Sequence, residues 1–144
     1  MPKLFMKGMQ SQGQKNIVNL LRCAWAGSQK YGALVWSGDI ASTFESMRNQ
    51  LTAGLNMAIA GIPWWTTDIG GFHGGDPNKE DFRELFARWF QWGTFCPVMR
   101  FMEIESQDNH KLEVVAVRNV VQVDQMKFGV MEKKYMKFVE NILT

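Results

Sequence analysis

The sequence predicts an α/β fold in which parallel strands are covered by helices, and three observations carry that expectation. Short apolar runs bounded by glycine or proline recur along the chain, as in strands buried on both faces. Between them lie longer segments whose apolar positions step by three and four, the spacing of one helix face. The two kinds of segment alternate, which favours strand–helix units over hairpins. With 144 residues, 46% of them hydrophobic, the chain is large enough for one domain with a core.

The first run, NIVNLLRCAW (16–25), is too short for periodicity alone to separate strand from helix. ALVW (33–36) is a clearer strand, bounded by Gly32 and by Ser37-Gly38. From Thr43 to Ala60, Phe44, Met47, Leu51, Leu55, Ala58 and Ile59 mark one face of a helix. Ser42 or Thr43 can cap its start, and Gly61 ends it. A second strand follows from Ile62 to Thr66, then the loop DIGGFHGGDPNKE. Phe82, Leu85, Phe86, Trp89 and Phe90 define a helix over residues 80 to 95, with Asp76 or Asn78 as cap and Asp81 and Glu84 suited to its first turn. CPVMRF (96–101) reads as another strand. Residues 102 to 124 read as a loop with one strand at most, and Phe128, Met131, Tyr135, Phe138, Val139 and Ile142 mark a last helix.

Composition narrows the function classes. The net charge is +2 and 21% of residues are charged, without the concentrated basic patch that phosphate backbones demand, so no nucleic-acid partner is expected. The lysines of KFGVMEKKYMKF read as the solvated face of a helix. Cys23 and Cys96 form no disulfide framework and lack metal-ligand spacing; they read as reduced, buried thiols of a cytoplasmic protein. The N-terminus has no apolar segment suited to a signal peptide. The run GLNMAIAGIPWW is interrupted by Asn56 and Pro63 and falls short of the roughly 20 residues of a membrane helix. No membrane partner, metal or cofactor is expected. His73 with Asp76, or His110 with Asp108, gives two ligands each, too few for a metal site.

In α/β proteins, ligands gather at the carboxyl ends of the strands. That rim offers Arg22, then Trp36 and Asp39, then Trp65 and Asp68 with Phe72, then Arg100. Acids, arginines and flat aromatic faces therefore converge. Taken alone, Asp39 reads as a turn or helix-capping aspartate. Trp36 beside it would desolvate its carboxyl, which is the environment of a general acid. Trp64, next to Trp65, would face the opposite side and belong to the core.

The strings RCAWAGSQKYGALVWSGD and IPWWTTDIGGF resemble glycoside hydrolase family 31, the retaining α-glucosidases and α-xylosidases built on a (β/α)8 barrel. The shared pattern is an arginine, an A-G-S-Q-x-Y-G loop, a W-x-G-D strand end and a W-x-x-D-I-G-G-F strand end. It spans about residues 5 to 100 and, more weakly, the last helix. The resemblance implies a partial (β/α)8 TIM barrel holding about strands five to eight, with NIVNLLRC as the fifth. Residues 1–101 would be the catalytic-barrel part carrying the acid/base strand, and 102–144 a divergent loop and final helix of the same domain. It further implies that Asp39 is the general acid/base and that Arg22, Trp36, Trp65, Asp68 and Phe72 line the subsite for an α-linked glucoside or xyloside.

Two departures qualify the resemblance. The family's nucleophile is an aspartate on the fourth strand, in a segment that would precede residue 1; a complete barrel takes about 250 residues. The family motif R-x-H-G after the eighth strand reads RFMEIES, with Met102 in the histidine's place. Three expectations stand together: a piece of an α-glycosidase, a sugar-binding chain without turnover, and an incomplete product whose open barrel edges self-associate.

Overall fold

The computed structural model describes residues 2–101 and, as backbone, the strands 104–105, 111–112 and 117–119. Helix α1 (Pro2–Ser11), which the sequence reading did not anticipate, precedes strand β1 (Asn19–Leu21). A short 3-10 turn over Ser28–Tyr31 leads to β2 (Ala33–Trp36), helix α2 (Phe44–Ile59), β3 (Trp65–Thr66) and β4 (Asp68–Ile69). Helix α3 (Glu80–Gly93) and β5 (Val98–Phe101) follow, then β6 (Ile104–Glu105), β7 (Lys111–Leu112) and β8 (Val117–Asn119).

The parallel strands are those the alternation implies. β1 pairs β2 with Leu20 opposite Leu34, and β2 pairs β3 with Trp36 opposite Thr66. The expected strand over 62–66 is shorter and later: β3 and β4 are separated by Thr67 alone. The chain thus pairs with β2 through β3 and with β5 through β4, where Asp68 lies opposite Arg100. Side-chain bonds carry the layer across this break: Ser37 Oγ donates to Thr67 Oγ1 at 3.0 Å, and Thr66 Oγ1 donates to the Val98 carbonyl at 2.8 Å. Ala33, Leu34 and Val35 are all buried, as expected of a strand covered on both faces.

Segment 102–124 departs from the loop expected there. β6 and β7 form an antiparallel pair, and β8 runs antiparallel to β5. Strands β6, β7 and β8 are two or three residues long, too short for alternation to identify them in sequence. The expected last helix (128–142) lies outside the described residues.

Helix α2 starts as its sequence suggests: Thr43 Oγ1 accepts from the Ser46 N–H at 3.0 Å, and Glu45 sits in the first turn. Its expected apolar face is not the one turned inward. Met47 packs partly against the core, whereas Phe44, Leu51, Leu55 and Ile59 are exposed, and α2 has no buried residue. The inward side includes Gly54, where a Cβ would come 2.7 Å from Cδ1 of Trp65; glycine lets that indole lie against the helix.

Helix α3 meets expectation more fully. Phe82, Leu85, Phe86 and Trp89 are buried and join Ile69 and Met99 in the core, which therefore sits between α3 and strands β4 and β5. Neither expected cap closes its start: the capping position is Lys79, with no side-chain bond. Asp76 Oδ1 instead accepts from the Asn78 N–H, a local turn that removes it from the helix end. Cys23 is exposed rather than buried, because it follows β1 into the loop. Cys96 is partly buried, and burial pushes its thiol up to about 11. Among the described residues no helix is long and apolar enough to cross a membrane.

Candidate active site

Neighbouring strands place the rim residues. Arg22 follows β1 directly, Trp36 ends β2 with Asp39 three residues on, and Asp68 opens β4 beside Arg100 of β5. Arg22 Nη2 donates to both oxygens of Asp39, at 2.8 Å to Oδ1 and 3.0 Å to Oδ2. The pair faces solvent, with 60% of the Arg22 side chain and 39% of Asp39 exposed. A charged hydrogen-bonding pair at an open rim can be reached by a polar ligand such as a sugar hydroxyl.

Trp36 lies at the centre. The guanidinium carbons of Arg22 and Arg100 are each 4.5 Å from the centroid of its ring, within the range of cation–π attraction. Its indole Nε1 donates to Asp68 Oδ2 at 3.3 Å. The tryptophan therefore serves the buried acid, not Asp39 as its sequence neighbourhood suggested.

Asp68 is fully buried. Arg100 Nε stands 2.9 Å from Asp68 Oδ1 as an ion pair. Burial raises the Asp68 carboxyl above its ordinary range. Arg100 and the Trp36 indole oppose that rise, Asp39 adds to it, and Arg22 works against it. The desolvated carboxyl of this rim is thus Asp68.

Phe72 reaches the rim through a backbone zip. Its N–H donates to the Ile40 carbonyl at 2.8 Å, and the Ser42 N–H donates to the His73 carbonyl at 2.9 Å. This brings the GGF turn against the segment that follows Asp39, with Phe72 38% exposed. Gly71 makes the approach possible: its φ is +86°, and a Cβ there would lie 2.7 Å from Cα of Ser42.

Trp65 is not brought into this group. Strand alternation turns it to the face opposite Thr66, and its indole rests on α2 at Gly54. Trp64, expected in the core, is 36% exposed. Arg100 lies on the rim read from the sequence but is not among the residues that the resemblance implies line the subsite. Strand register, which juxtaposes it with Asp68, is the signal that includes it. Among the described residues no group of three or more His, Cys, Asp or Glu is arranged to hold a metal.

A layer of parallel strands that gathers an aspartate–arginine pair and exposed aromatics at its carboxyl edge places them where the active sites of α/β barrels lie. The family model for the glycosyl hydrolases family 31 TIM-barrel domain matches residues 1–135, and the chain belongs to that family. It is 64% identical over 96 residues to an uncharacterized family 31 glucosidase of Pseudescherichia vulneris, covering 67% of this chain and 18% of that protein. It is 47% identical over 98 residues to an α-xylosidase of Saccharolobus solfataricus, covering 68% and 13%. Among solved structures, a family 31 α-xylosidase from a soil metagenome, complexed with xylose, matches with a TM-score of 0.69 and 52% identity. That match covers 99% of this chain and 21% of the other. The chain therefore spans about a fifth or less of the length of these relatives.

Proposed function

We propose that this chain carries the acid/base side of a retaining α-glycosidase site that takes α-linked xylosides or glucosides. Asp39 protonates the departing glycosidic oxygen and later removes a proton from water. Arg22 holds Asp39 and hydrogen-bonds the sugar. Trp36 and Phe72 form the walls of its subsite, and Asp68 supports Trp36 from beneath. In a complete (β/α)8 barrel, β1, β2, β3 with β4, and β5 would be strands five to eight. Residues 1–101 carry the site, and 102–144 belong to the same domain. The observation that carries the reading is the Arg22–Asp39 pair, held at 2.8 and 3.0 Å at the ends of adjacent parallel strands. The names of the matched α-xylosidases and glucosidase support the substrate class.

Hydrolysis of chromogenic α-xylosides and α-glucosides tests it. Release of the chromophore by a chain that also carries the nucleophile-bearing strand, abolished in Asp39→Asn, is the expected result; release that survives this substitution contradicts the acid/base assignment.

A second reading, sugar binding without turnover, is favoured by one observation. Double displacement needs a second carboxylate about 5–5.5 Å from the first. Among the described residues the other rim acid is Asp68, which is fully buried and engaged by Trp36 and Arg100. Saturable binding of xylose or glucose with no chromophore release selects this reading.

A further inference from the structure

The rim contains a continuous chain of contacts that begins in the protein interior and ends at the exposed acid. Arg100, 15% exposed at its side chain, pairs with the fully buried Asp68 from the adjoining strand, where the two residues are direct register partners. Asp68 accepts from the Trp36 indole edge at 3.3 Å, while Arg100 also stacks over the Trp36 ring at 4.5 Å. One guanidinium thus meets both the plane of the indole and the acceptor of its N–H. Arg22 stacks on the same ring at 4.5 Å and grips both oxygens of Asp39.

We propose that Arg100 is a positioning residue for this site: with Asp68 it sets the plane and tilt of Trp36, and through that ring it sets the Arg22 guanidinium on Asp39. A planar guanidinium can stack and pair at once, which a lysine ammonium cannot. The long, exposed Arg22 side chain has few other restraints, so the ring beneath it decides where its fork rests. The assignment deepens the glycosidase reading and rests on it for the role of Asp39, but the contact relay itself is independent of sugar.

The test is a 15N-correlated spectrum of the full 144-residue chain. The Trp36 indole Nε1–H signal is identified by its loss in Trp36→Phe, and the Arg22 Nε–H signal by its loss in Arg22→Gln. In Arg100→Gln both signals are expected to move while the indole signal of Trp89, in the α3 core, stays in place. Arg100→Lys keeps the charge beside Asp68 but not the flat stack; it guards against a glutamine variant that fails to fold, and both signals are still expected to move. Unmoved Trp36 and Arg22 signals in a folded Arg100 variant overturn the proposal. So does a displacement of Trp36 with Arg22 unchanged, or an equal displacement of the Trp89 signal, which marks general loosening. If the signals move as expected but no sugar is bound or hydrolysed, the positioning relay stands and the glycosidase reading fails.

Discussion

Two aspartates on neighbouring strand ends are treated in opposite ways, and the difference decides what each can do. Asp39 shares its charge with Arg22 in open solvent, where such pairs contribute only about 0–1 kcal/mol. Arg22→Gln should therefore lower stability by less than about 1 kcal/mol, yet remove any stabilisation by xylose; urea unfolding with and without the sugar measures both effects. Asp68 is buried, and its carboxyl is raised because desolvation outweighs the attraction of Arg100. Its contribution to stability is accordingly full below the ordinary value of 3.8 and is lost as pH rises through the higher folded value. Arg100→Met leaves that buried carboxylate without its cation, so it should cost about 3 kcal/mol at neutral pH and progressively less as Asp68 becomes protonated. Asp68→Asn keeps an acceptor for Trp36 and should cost about 1 kcal/mol, since Arg100 retains some access to water. Unfolding of the two variants across acid and neutral pH separates these expectations. At this scale the motif made Arg22, Asp39 and Trp36 legible from sequence. It could not show which carboxyl Trp36 serves, because hydrogen-bond partners follow strand register rather than chain proximity.

The elements differ in how well periodicity described them, and the cause is what lies opposite each face. Helix α3 turns its apolar stripe onto β4 and β5, so the sequence stripe and the buried face coincide. Helix α2 has an apolar stripe too, but the face inward to the sheet is chosen by Gly54 and the Trp65 indole, leaving Leu51, Leu55 and Ile59 exposed. Periodicity reports that a stripe exists, not which surface covers it. The same argument explains Trp65, whose face was decided by β3 pairing with β2. The tie between the two rim loops depends on one residue. Gly71→Ala must hold a side chain at φ +86° against the Ser42 backbone and should cost about 2 kcal/mol, while loosening Phe72. Gly74→Ala has a similar φ of +83° but open space around it, so it should cost about 1 kcal/mol. Urea midpoints of the two variants compare strain alone with strain plus close approach.

On the scale of the whole molecule, the described residues form short sheets flanked by helices, with apolar surface in the open. Leu4 and Phe5 on α1, Leu20 on β1, and Leu55 and Ile59 on α2 are all exposed. Surface of this kind is covered when helices close a ring around a complete barrel, and in its absence it favours association. Sedimentation velocity should show a concentration-dependent increase in size that Leu55→Glu with Ile59→Glu reduces; a monomer at every concentration contradicts this expectation. The α/β class was legible because glycine-bounded runs and helical stripes alternate over residues 33–101. The antiparallel return of β8 was not, since its pairing with β5 is a long-range choice that no local pattern records. What remains decisive is whether this piece of the barrel holds its subsite, and a urea titration of tryptophan fluorescence with and without excess xylose or glucose answers it. A folded site gives one sharp transition that sugar moves to higher urea, by about 2.7 kcal/mol at a hundredfold excess over Kd. Transitions that superimpose with and without sugar, or a broad drift in both, would contradict a sugar site built by Arg22, Trp36 and Asp39.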